Sequence, residues 1–179
     1  MDLRQWLIDE LDDTTARLKF QVLFQVPEER RRECPGGGNS IMWACFHAAR
    51  HADLALSVLD GTDMVLPVGE NPEKWGLEDD EQDWSADLLP SAVESYLTEV
   101  LAAARRFLTA FEISDLERVP DTAAALGRAG IPTDTHDWLY RMWSGKPAAF
   151  LIRWPLMGHV GDHVGEMIAT RNRMGPSAL

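Results

Sequence analysis

Gly158-His159-Val160-Gly161-Asp162-His163-Val164-Gly165-Glu166 lies inside the run 147–174, PAAFLIRWPLMGHVGDHVGEMIATRNRM, and its reading decides what kind of chain this is. Leu156, Val160, Val164 and Met167 recur at helical spacing, so the run is expected to be a helix with Gly175-Pro176 as its stop. Two histidines four residues apart then share a face at the border of the apolar stripe, close enough for both imidazoles to reach one ion. Glu166 falls on their outer side. Gly158, Gly161 and Gly165 gather on another side as a smooth strip where a backbone or a ligand could approach, and Pro155 should kink the helix or join two halves of it. A pair of histidines cannot close a metal site, so the remaining ligands must come from elsewhere in the chain.

The partner run is residues 40–61, SIMWACFHAARHADLALSVLDG. Asn39 or Ser40 can cap it, and Gly61 can end it as the residue just past the last turn. Trp43, Leu54, Val58 and Ala44 fall on one stripe with His47, which therefore faces the core. His51 sits one turn further on. Three neutral imidazoles from His47, His159 and His163 leave one or two positions open on an ion, the pattern of a catalytic rather than a closed structural site. Nitrogen ligation suits zinc or nickel, and also iron or copper.

The other long apolar patterns are helical as well. Residues 3–25 carry Leu3, Leu7, Leu11, Leu18 and Val22 behind Asp2 as cap, and Ser91 with Glu94 reads as a capping box opening a helix lined by Val93, Leu97, Val100 and Leu108. Between them VPEERRRECPGGG is a loop; GGGNS follows no strand and lacks the lysine of a phosphate-binding loop. Residues 62–86 form a long acidic connection anchored by Trp75 and Trp84. Short helices are expected over Thr122–Arg128 and over DWLYRMWSG from Asp137, the latter capped by Thr135 or Asp137, with His136 at the surface. No alternating pattern suggests a strand. The expectation is one all-α domain over residues 1–179, an antiparallel four-helix bundle with a long second connection and short extra helices before the last.

With 179 residues and 20.1 kDa the chain can bury a core without disulfides or a structural metal. A net charge of -12 argues against a nucleic-acid or anionic-membrane surface. No stretch is apolar for long enough to span a bilayer, and the acidic start is unlike a signal peptide, so a cytoplasmic protein is expected. Cys34 and Cys45 lack a CxxC spacing and read as one loop thiol and one core thiol.

SIMWACFHAARHADLAL resembles the second helix of the DinB-like superfamily, and DWLYRMWSGKPAAFLIRWPLMGHVGDHVGEMIATRNRMG resembles its closing helix. The resemblance is to the branch with mycothiol-dependent maleylpyruvate isomerases and related thiol S-transferases. It implies an up-down-down-up bundle, often a homodimer, with a divalent metal on His47, His159 and His163. His51 stands where that family more usually has an apolar residue, and is a second partner, an alternative ligand or a core residue. The implied activity uses the metal to hold a small thiol, such as mycothiol or bacillithiol, as the thiolate that attacks an electrophile, and then neither Cys34 nor Cys45 is the nucleophile. Glu166 and Asp162 can orient a histidine N–H or move a proton, or are solvated helix carboxylates. Arg50 can meet an acidic substrate or the thiol cofactor at the rim, or make a surface salt bridge. A non-catalytic helical protein and a metal-dependent hydrolase are the competing functions.

Overall fold

A computed structural model describes residues 2–66 and 74–175, and among these every regular element is helical, with no strand. Helix α1 spans Leu3–Leu18 and opens as its sequence requires, the Asp2 carboxylate accepting from the Gln5 N–H at 2.8 Å. Beyond it the chain tightens no further but widens into a π-helical turn, Lys19–Leu23, so the helical run stops short of Gln25. Helix α2 is Ile41–Asp60. Of the two candidate caps it is Ser40 that acts, its Oγ accepting from Trp43 N–H at 3.1 Å, while Gly61 closes the helix at φ 76°.

Helix α3, Pro90–Ala110, corrects the expected capping box. Pro90 itself takes the first helical position, where a missing N–H is no loss, and no side chain caps the end. Glu94 turns away to Arg31, which it meets at 2.6 Å, because that buried guanidinium offers a stronger partner than a backbone amide. Helix α4 is Thr122–Arg128, capped by Asp121, and α5 is Asp137–Trp143. Neither Thr135 nor Asp137 caps α5: His136 holds the cap position without a side-chain bond. His136 is also not at the surface. It is buried, its Nδ1 2.9 Å from Thr135 Oγ1 and its ring 5.2 Å from that of Trp75, because the connection from residue 74 onward folds over it.

Helices α6 (Ala148–Leu151) and α7 (His159–Arg173) are joined by a π-helical stretch, Ile152–Gly158, that contains Pro155. Proline cannot donate and its ring crowds the carbonyl a turn back, and the wider π turn accommodates both. Gly158 is required here, since a Cβ would lie 2.8 Å from the Arg153 carbonyl oxygen. Gly175 ends the run at φ 76°; Pro176 of the expected stop lies outside the described residues, as do Pro67, Gly69 and Pro72 of the long connection.

Helix α2 packs against α3, α7 and the π-helical stretch, while α1 packs against α3 and α7. As a result α2 is buried from Ile41 to Leu59 on every face rather than along one stripe. Trp43 is fully buried, with the edge of Trp84 against it at 5.3 Å, so the long connection is anchored on α2 as its tryptophans suggest. Two charges are buried with the helix. Arg50 Nε donates to the Trp75 carbonyl at 2.8 Å and its Nη1 to the Leu66 carbonyl at 2.6 Å, while Asp53 accepts from Val65 and Leu66 N–H at 2.8 and 3.0 Å. Tyr96 from α3 bridges them, donating to Asp53 at 2.7 Å with Arg50 at 3.3 Å. Among the described residues no helix is long and apolar enough to cross a membrane.

Candidate metal centre

The inward side of α2 and the first turns of α7 meet at four histidines. One nitrogen each from His47, His159 and His163 lies within 4.8 Å of the others, which brings together the three ligands expected from the sequence. Helical spacing explains the pair on α7: His159 and His163 are one turn apart, with Nε2 atoms 3.2 Å from each other. The π-helical stretch ends where α7 begins, at His159, so its extra residue per turn sets the face on which both rings emerge.

What lies behind the rings fixes their tautomers. His163 Nδ1 is 2.7 Å from Glu166 Oε2 and His47 Nδ1 is 3.0 Å from the Gly76 carbonyl; both partners only accept, so both Nδ1 atoms carry the proton. Each Nε2 is thereby left with a free lone pair. Metal-ligating histidines usually have such an outer partner, which aims the ligand nitrogen and raises its basicity. Glu166 is held in turn by Asn39, whose Nδ2 reaches Oε1 at 3.3 Å. The hydrogen bond from His163 is the main cause of a Glu166 pKa below the ordinary carboxylate range, against the opposing effect of burial.

Burial keeps the other rings neutral. It pushes His47 down to about 4, helped by the neighbouring His163, and His159 down to about 3, helped by His163 and His47. His51 is lowered well below the ordinary range, first by complete burial and then by His159 and His47. Neutral imidazoles are the metal-binding form. Two nitrogens about 2.0 Å from a tetrahedral zinc stand about 3.3 Å apart, and His159 and His163 match that separation. The donor set, the outer partners of His47 and His163 and the neutrality of His47 and His159 fit a borderline divalent ion.

His51 stands 4.7 Å from His47 and 4.4 Å from His159, ring centre to ring centre, but outside the group of three. Asp162 is exposed and faces away, onto a groove of about 740 Å³ shared with Leu3, Trp6 and the glycines 158, 161 and 165. The expected glycine strip therefore borders α1, not the imidazoles. Arg50 is 2% exposed and spent on backbone carbonyls of the connection. Cys45 is buried against Met167, its Sγ 3.3 Å from that sulfur, and burial raises its thiol to about 12. Cys34 is exposed, with Glu81 3.9 Å away.

The long connection supplies residues that pattern reading missed. Gly76 sits at φ 68°, where a Cβ would come within 2.5 Å of the Phe46 ring, and only this close approach carries its carbonyl to His47. Asn39 grips the connection at both ends of a short segment, donating to the Asp79 carbonyl at 3.0 Å and accepting from Glu81 N–H at 2.8 Å. A glycine before a leucine and an asparagine before a serine cap were the only signals available. Beside them opens a cavity of about 570 Å³ lined by Leu77, Glu78, Asp79, His136, Trp138 and Met142, with Thr135 at its edge.

No known family's profile matches this chain, and no curated protein matches it. Among solved structures it is similar to the conserved protein of locus from Enterococcus faecalis, at 18% identity over 97% of each chain with a TM-score of 0.63. At that identity the likeness is one of fold.

Proposed function

We propose that this protein binds one divalent ion, zinc or nickel by preference, through His47, His159 and His163, and uses it for thiol-dependent S-transfer or isomerisation. In this reading the long helices make a DinB-like up-down-down-up four-helix bundle, working as a cytoplasmic homodimer on a small thiol and an electrophilic substrate. The observation that carries it is the convergence of three ring nitrogens within 4.8 Å, two of them aimed by acceptors on their far sides. When bound, the ion supplies a positive centre that favours thiolate over thiol.

The chain's own residues do the rest. Gly76 and Glu166 hold His47 and His163 with their Nε2 lone pairs forward, and Asn39 keeps Glu166 from turning away. Glu166 thus orients a ligand, and its partly exposed carboxylate, 32% accessible, is the group placed to exchange a proton with solvent. The buried Cys45 thiol cannot compete as a nucleophile, which suits an external thiol. The cavity bordered by Trp138, Leu77 and Glu78 offers room for a small electrophile on the His51 side of the cluster, where the Trp138 ring lies 6.3 Å from that of His51.

Titrating metal-free protein with zinc or nickel in a calorimeter should give one tight site, abolished in His159→Ala. Unchanged binding in that variant would sink the metal assignment. With the metal in place, sustained turnover of an electrophile that requires mycothiol, bacillithiol or glutathione supports the transferase; turnover without any thiol identifies a hydrolase instead, and no turnover leaves a metal-binding protein without chemistry.

A further inference from the structure

Two of the three ligand histidines have an outer acceptor and the third has none among the bonds formed: His159 Nδ1 is buried and unpartnered. In the ring beside it, His51 Nδ1 is buried and unpartnered too, and the two ring centres are 4.4 Å apart. We infer that His51 is the outer hydrogen-bond partner of His159, doing for that ligand what the Gly76 carbonyl does for His47 and Glu166 for His163. The inference rests on the three-histidine metal reading and assigns the fourth histidine a place in it.

Donor and acceptor match. Of the two His51 nitrogens only Nδ1 is buried without a partner, and the Leu77 backbone favours the charged form of the ring, as a carbonyl oxygen facing a ring N–H does. The N–H facing Leu77 is then Nε2–H, and the neutral ring presents Nδ1 as a bare acceptor. On His159, Nε2 faces His163 Nε2 at 3.2 Å, so a lone pair given to an ion there leaves the proton on Nδ1 as a donor. At a ring-centre separation of 4.4 Å the two Nδ1 atoms, not bonded as they stand, can be joined by a rotation of either ring or by one water. A buried donor and a buried acceptor left apart each carry an uncompensated desolvation cost, which joining them avoids. The competing donor is the unpartnered indole N–H of Trp143, whose ring centre is 6.4 Å from His51, well beyond His159. His51 is a positioning residue on this account, not a ligand: it stands on the far side of the His47–His159 pair and outside the 4.8 Å group.

The imidazole's two nitrogens can be tested separately. In His51→Asn the amide oxygen can occupy the Nδ1 position; in His51→Gln the amide nitrogen can keep the bond to Leu77 while the Nδ1 acceptor is lost. Zinc competition against a chromogenic chelator should show affinity falling about 10–100-fold in His51→Gln and staying within about threefold of the parent in His51→Asn. Cobalt(II) loaded into either variant should keep the parent's ligand-field bands. In zinc-loaded parent protein, nitrogen-15 spectra should show a slowly exchanging His159 Nδ1 proton that disappears in His51→Gln. Equal zinc affinity in His51→Gln and parent overturns the inference, as does a changed cobalt spectrum, which marks His51 as a direct ligand. Should His51→Gln fail to fold, absence of a protected His159 Nδ1 proton in the parent overturns it alone. Failure of the parent to bind zinc is the separate failure of the metal reading.

Discussion

Glu166 and Gly76 hold two rings of one triad by different means, a charge and a backbone carbonyl. The carboxylate is replaceable in shape but not in charge, so Glu166→Gln should leave the fold intact and weaken zinc about 10–100-fold, measured by chelator competition at pH 7. An affinity equal to the parent's would show that His163 needs no orienting anion. The carbonyl cannot be removed by mutation but can be displaced. Gly76→Ala forces an alanine to φ 68° and drives its Cβ into the Phe46 ring, so a loss of about 2 kcal/mol or more is expected in urea denaturation, together with weaker zinc binding. Loss of stability without loss of zinc affinity would mean that His47 keeps its orientation without Gly76.

At the level of elements, α2 is where local sequence and final structure agree best and also where they part. Its Ser40 cap, its Gly61 stop and its histidine pair are local features, and each was legible because a cap, a left-handed glycine and an i, i+4 spacing depend on neighbours in sequence. The stripe geometry correctly turned His47 inward. It could not tell that α2 is buried on every face, since that depends on how many other elements wrap it. The same limit accounts for Glu94, claimed by Arg31 across 63 residues, and for His136, covered by Trp75. Arg50 looked like a rim residue because charge normally avoids a core; here it and Asp53 are bought inward by backbone groups of the connection. That lashing predicts the consequence of cutting its middle. Tyr96→Phe removes one hydroxyl that serves both Asp53 and Arg50, and should cost about 1–3 kcal/mol of stability while making backbone amides at Val65 and Leu66 exchange faster. Unaltered exchange there would show that Asp53 holds the connection unaided.

For the whole molecule, the site imposes a dependence on acidity. His47 and His159 have pKa values of about 4 and about 3 in the fold, against about 6.5 in an unfolded chain, with burial the leading cause in both. Between those limits the unfolded chain binds more protons than the folded one, so stability rises with pH. The contribution is complete above about pH 6.5 and is lost as pH falls toward 4 and then 3. Each proton taken up only on unfolding steepens the slope by about 1.4 kcal/mol per pH unit, so two histidines should remove about 2–4 kcal/mol between pH 6.5 and 5. Glu166, whose pKa is lowered, adds the same sign below its ordinary value. The net charge of -12 works the other way, because acid relieves self-repulsion, but that effect is screened at physiological salt while the buried rings are not. Urea midpoints of metal-free protein at 0.15 M salt should therefore fall steadily from pH 7 to pH 5, and His159→Phe, which removes one titrating ring, should flatten the fall. Zinc at 100 times its dissociation constant should add about 2.7 kcal/mol at pH 7. A midpoint that does not move between pH 7 and 5 would falsify the burial of neutral imidazoles on which the centre depends.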